Sequence, residues 1–214
     1  MHIIFDFDGV ILNSHKIKTK AFYKIFESYG KNIANKAVKF HKQNIGKSRY
    51  FKFKFILQNI IKKKISKKEL LVLNKNFDFI VEKNIKKIFP SKYLLMFLKK
   101  KGKNVFYIST GTPQNKIIKI LKDKKLFSFF KKVYGSPSSK VDHIKSIKKR
   151  NAKLLFIGDS LEDYRAAKKT KINFLLKLNS ENISFRKSIK TKNIHSFKFL
   201  YKHIDFLQSS NEKI

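Results

Sequence analysis

Short, mostly apolar runs alternate along this chain with longer segments whose apolar residues recur at helical spacing. Ile3–Phe7, Val105–Ile108, Val133–Tyr134 and Leu154–Ile157 read as buried strands, with Phe174–Leu176 a weaker fifth. Between the later runs, Tyr93, Leu94, Phe97 and Leu98 share one helix face, as do Ile117, Ile118 and Leu121. Strands separated by helices of this length predict a parallel sheet with right-handed crossovers.

Between the first and second runs the alternation stops. Lys16–Tyr29, Tyr50–Lys64 and Lys67–Ile88 read as helices with no strand between them, and Ser66 is a plausible cap opening the third. Asn44–Arg49 (NIGKSR) breaks the helical pattern inside this region. The expected organisation is an α/β core, residues 1–14 and 88–214, interrupted by an all-helical module, residues 15–87. The chain re-enters the core near Phe89-Pro90, and the tail beyond Ser209 is expected to fray.

Composition narrows the class. A hydrophobic share of 42% supplies a core, and the absence of cysteine excludes disulfides and thiolate chemistry. No apolar stretch approaches the roughly 20 residues that span a bilayer. The first apolar run is also too short for a secretory h-region and has no basic leader. A cytoplasmic protein without a membrane partner is expected. The formal charge of +37 would suit a polyanion binder, yet the lysines fall in every segment rather than on one stripe. Lys, Asn, Ile and Phe are enriched together, which is the drift of an AT-rich coding sequence, and this argues against a nucleic-acid partner.

Against that bias the scarce residues stand out. Four of the eight aspartates lie in FDFDG and GDSLED. Gly9, Gly111, Gly135 and Gly158 lie at or just past the C-terminal ends of apolar runs, the edge where open α/β sheets bind ligands. Asp6 and Asp8 emerge on the same side of an extended strand, Phe7 on the other, and Gly9 permits a tight turn. Two close carboxylates can hold a hard cation such as magnesium or divide nucleophilic and acid–base work; an isolated pair could equally cap a helix. Asp159, at another strand end, could be a helix N-cap, with Asp163 four residues on. VFYISTGTP offers the hydroxyls of Ser109, Thr110 and Thr112 beside Gly111, ahead of a helix start at Pro113. Hydroxyls and backbone N–H groups there would make a phosphate cradle. Lys140 opens a helix after a Gly/Ser/Pro loop.

In this order the motifs resemble those of haloacid-dehalogenase-type (HAD) phosphohydrolases. Asp6-Phe7-Asp8-Gly9 is similar to the first motif, Thr110-Gly111 to the second, Lys140 to the third, and Gly158-Asp159 with Asp163 to the fourth. The likeness covers residues 1–14 and about 90–178. The helical module resembles the cap of the phosphoglycolate-phosphatase and β-phosphoglucomutase branch, and HKQNIGKSR resembles bacterial phosphatases of surface-sugar synthesis.

The resemblance implies a Rossmann-like three-layer α/β/α parallel sheet with an inserted helical cap. It implies Asp6 as nucleophile and Asp8 as general acid and base, with the pKa of Asp8 raised by the neighbouring Asp6 charge. Mg2+ would be held by Asp6, the Asp8 carbonyl and Asp159, with Asp163 orienting a metal water or Lys140. Thr110, Gly111 and Lys140 would bind the phosphoryl oxygens, Ser109 being the alternative hydroxyl. Arg49, and with it Lys52 or His41, would contact the leaving group of a small phosphorylated metabolite such as a phosphosugar or phosphoglycolate. A phosphomutase using the same intermediate, and a polyanion binder on an inactive scaffold, are the competing readings.

Overall fold

The computed structural model describes residues 1–100, 102–148, 153–186, 189 and 191–200; the tail beyond Ser209 lies outside them. Among these residues six parallel strands form one sheet: β1 (His2–Phe5), β2 (Val105–Pro113), β3 (Lys132–Ser136), β4 (Leu154–Gly158), β5 (Asn173–Lys177) and β6 (Lys192–Ile194), in the order β3-β2-β1-β4-β5-β6. β6 was not expected, because three residues carry too little periodicity to register. β1 is central, and its alternation sorts its side chains into two layers. Ile3 and Phe5 join an apolar cluster with α5 (Lys92–Lys99) and α6 (Gln114–Asp123), through Leu94, Phe97, Ile117 and Leu121. Ile4 joins a cluster on the opposite face with α7 (Lys140–Ile147) and α8 (Leu161–Thr170), through Ile144, Ile147, Ala166 and Ala167. Helices on both faces of an all-parallel sheet explain why its strands read as continuous apolar runs.

Between β1 and β2 the chain forms α1 (His15–Phe26), α2 (Lys31–Gln43), α3 (Arg49–Phe55) and α4 (Lys67–Ile85). Phe22, Phe26, Phe53 and Phe77 pack within this insert with ring centroids 5.4–5.9 Å apart. The first cluster runs continuously from the sheet into these helices. α2 departs from expectation because its buried face is only Ala34, Ala37 and His41 amid lysines and asparagines, with no side-chain cap at its start. The helix expected over Tyr50–Lys64 is shorter. After Phe55 it widens into a π-turn over Ile56–Ile60 that buries the consecutive Ile56 and Leu57, and the helical course ends before Lys62, whose φ is +59°. Among the described residues, no helix is long and apolar enough to cross a membrane.

Candidate active site

The register of the central strands decides what meets at the sheet edge. Phe5 pairs with Ile157, and the Asp6 N–H donates to the Ile157 carbonyl at 2.9 Å. Asp6 and Asp159 therefore leave adjacent strands side by side. Asp6, Asp159 and Asp163 are all buried, and one carboxylate oxygen of each lies within 4.8 Å of the others. Lys140, the first residue of α7, places Nζ 2.5 Å from Asp163 Oδ1 and 3.0 Å from Asp6 Oδ1. Asp163 Oδ2 accepts from the Ser160 hydroxyl at 2.6 Å and its N–H at 3.0 Å. The N-cap of α8 is thus Ser160, not Asp159, and Asp163 completes a capping box.

Asp163 is committed to these partners, whereas Asp159 Oδ1 has no hydrogen bond and Asp6 Oδ1 has only the Lys140 ion pair, without hydrogen-bond geometry. Burial pushes Asp6 well above the usual carboxylate range; Lys140 opposes the shift while the neighbouring aspartates reinforce it. Asp159 is also raised by burial, against its bond with His15. A buried excess of negative charge with two under-satisfied oxygens fits a hard divalent cation. Asp6 and Asp159 are the side chains free to hold it.

The other oxygen of Asp159 is firmly held. His15 Nε2 lies 2.6 Å from Oδ2, Asn179 Nδ2 donates to the same atom at 2.6 Å, and Asn182 Nδ2 donates to the Asp159 carbonyl at 2.8 Å. Gly9, at φ +78°, makes room: a Cβ there would lie 1.9 Å from Asp159 Oδ2 and 2.2 Å from His15 Nε2.

Asp8 corrects the expectation drawn for it. Ser14 Oγ donates to Oδ1 at 2.5 Å, Lys18 Nζ to Oδ2 at 2.5 Å, and Thr112 Oγ1 to Oδ2 at 3.3 Å. Burial favours the neutral acid, but the Lys18 charge and these hydrogen bonds outweigh it and hold the carboxyl down at about 2. The cation one helical turn into α1 prevails over the like charge two residues away.

The two candidate hydroxyls of β2 differ in their surroundings. Ser109 Oγ lies 2.9 Å from His143 Nδ1, so it is engaged by α7, whereas Thr110, also buried, accepts from the Thr112 N–H at 3.2 Å. Gly111 and Thr112 line the cleft over Asp6 and Asp8. The insert approaches closely at Gly111: a Cβ there would lie 2.8 Å from the Gly46 carbonyl oxygen.

The cleft lies between the sheet edge and the insert and holds about 770 Å³ of empty space, counting space open to solvent. Arg49, expected as a free anion ligand, lines it but is already engaged. Its guanidinium pairs bidentately with Asp78 (Nη2 to Oδ2 at 3.1 Å) and lies 5.2 Å from the Phe77 ring, leaving Nε as its one buried unpaired donor. Lys52 is 4% exposed, with Nζ 3.2 Å from His41 Nδ1. Sequence reasoning missed His15, Lys18, Asp78, Asn179 and Asn182. The available signals were His15 and Lys18, at i and i+3 just after FDFDG, and the polar cluster closing β5.

The family model for haloacid dehalogenase-like hydrolases matches residues 3–177. No curated protein matches the sequence. Among solved structures, a β-phosphoglucomutase from Clostridium difficile is similar at 18% identity and TM-score 0.77, covering 98% of this chain and 97% of that one. A protein described as a predicted phosphoglycolate phosphatase from Haemophilus somnus 129PT gives 17% identity and TM-score 0.73, covering 94% and 96%. A predicted phosphatase from Clostridium acetobutylicum gives 16% and 0.72, covering 95% and 97%. These likenesses concern the fold, and the family match agrees with the motif order, so the chain belongs to the haloacid dehalogenase-like hydrolases.

Proposed function

We propose that the protein is a Mg2+-dependent phosphatase that hydrolyses a small phosphomonoester, of phosphosugar or phosphoglycolate type, through an aspartyl-phosphate on Asp6. The observation that carries this reading is the convergence of Asp6, Asp159 and Asp163 with Lys140 at the sheet edge, where Asp6 and Lys140 line the cleft. Asp6 and Asp159, with the Asp8 carbonyl, would hold the cation; when bound, it keeps Asp6 ionised and offsets charge on the phosphoryl oxygens.

A carboxylate oxygen of Asp6 bonds to phosphorus as the ester O–P bond breaks, and Asp8 passes a proton to the departing oxygen. Water then bonds to phosphorus and gives its proton to Asp8. The Asp6–phosphorus bond breaks, releasing inorganic phosphate. Asp8 as described, held ionised by Lys18 and Ser14, is in the form needed for this second half. Its protonation for the first half calls for Lys18 to be drawn away, and an incoming phosphoryl dianion is a competing partner for that ammonium. Lys140 and the backbone at Thr110 and Gly111 stabilise the transferring oxygens, where most catalysis of phosphoryl transfer lies.

The test is hydrolysis of p-nitrophenyl phosphate. Turnover that requires Mg2+ and disappears in Asp6→Asn is expected. Equal turnover in that variant, or none in wild type with any divalent metal, refutes the reading.

A further inference from the structure

Among the described residues, the cations lining the cleft are paired with acids, with one buried exception. Lys18 pairs with Asp8, Arg49 with Asp78, Lys116 with Asp78 and Glu82, and Lys140 with Asp6 and Asp163. Lys47 also lines the cleft but is partly exposed to solvent. Lys52 has neither recourse. It points from α3 into the cleft, and its described partners are the His41 ring nitrogen and the face of Phe22, 5.7 Å from Nζ. His41 is itself buried and stacked on Phe22 at 4.1 Å, so the amine is held on a rigid wall.

A desolvated ammonium without an anion is costly, and burial pushes the Lys52 amine down to about 7. An anion arriving beside it restores its charge and is bound strongly for the same reason. Lys140 and the β2 edge serve the reacting phosphoryl group from the sheet side of the cleft, whereas Lys52, within the field of Asp8, Lys18 and Lys140, enters from the insert. Lys52 belongs to the insert, on the side that the remainder of an ester reaches.

We propose that Lys52, backed by His41, is the receptor for a second anionic group, carboxylate or phosphoryl, on the leaving-group side of the substrate. The natural substrate is then a phosphomonoester that carries another acid, not a neutral polyol phosphate. This rests on the phosphatase reading for which end of the substrate reacts; the binding of two anions by one cleft does not.

The test uses the full chain with Mg2+ and non-hydrolysable phosphonates, titrated by calorimetry. Phosphonoacetate is compared with ethylphosphonate, and ethane-1,2-diphosphonate with propylphosphonate, in wild type, Lys52→Met and Lys52→Arg. Wild type is expected to bind at least one acid-bearing member about tenfold or more tighter than its neutral partner, the scale of one charge-assisted hydrogen bond. Lys52→Met erases that ratio and Lys52→Arg retains most of it; the pair with the larger ratio identifies the acid. An equal ratio in wild type and a folded Lys52→Met, or no preference in wild type, overturns the proposal. Hydrolysis of p-nitrophenyl phosphate by the same preparations separates the two ideas. Turnover without discrimination sinks the Lys52 receptor alone, and discrimination without turnover sinks the phosphatase alone.

Discussion

His15 Nε2 lies 2.6 Å from Asp159 Oδ2, joining the first residue of the helical insert to a carboxylate at the end of β4. Burial disfavours a charged imidazole, but the Asp159 bond and charge outweigh it and raise the His15 pKa. With Asn179 on the same oxygen, the contact leaves Oδ1 as the atom offered to a cation.

His15→Ala is therefore expected to weaken Mg2+ binding by about tenfold, the usual cost of removing a partner that orients a ligand. Calorimetric titration with Mg2+ checks it, as does the thermal shift on adding the metal. Unchanged affinity would make His15 a packing residue only.

Lys18→Met should release Asp8. The folded pKa of Asp8, about 2, lies below its ordinary 3.8. Its stabilising contribution is thus present above pH 3.8 and is lost as pH falls towards 2. The variant should be less stable at neutral pH by at most about 2 kcal/mol, and the difference should close on acidification. Urea unfolding at pH 7 and pH 3 measures the full difference and its partial loss. A difference that is constant with pH would mean that Lys18 does not act through Asp8.

Lys52→Met should stabilise the ligand-free protein near neutrality. The Lys52 amine is depressed from 10.5 to about 7, so between those values the unfolded chain binds the extra proton and wild-type stability rises with pH. That rise, on the order of a few kcal/mol, should be missing in the variant. Parallel curves for the two proteins from pH 7 to 10 would contradict a desolvated amine.

Gly111→Ala tests the seating of the insert loop on β2. A Cβ would sit 2.8 Å from the Gly46 carbonyl oxygen and 3.4 Å from the Ser48 nitrogen, both backbone atoms. The loop must retreat, at a cost of about 1–3 kcal/mol. A lower melting temperature and a higher KM for p-nitrophenyl phosphate are expected, with the sheet intact by circular dichroism. A variant matching wild type in both would show that the loop has slack.

The order of the first five strands, the placement of both aspartate pairs at strand ends, and the family were legible in the sequence, because alternation and turn chemistry are local properties. The parallel register then made the meeting of Asp6 with Asp159 nearly unavoidable, since adjacent strands that end together deliver their next residues together. Local pattern could not supply the company each carboxylate keeps. His15, Lys18 and Asn179 approach from α1 and the loop after β5, and their reach depends on how those segments pack over the sheet edge. The sign of the Asp8 shift shows why: a neighbour two residues away loses to a cation that only packing brings within 2.5 Å. Tertiary structure likewise decided that Arg49 arrives paired and Lys52 without an acid, because electrostatic pairing follows distance in space and burial rather than separation along the chain.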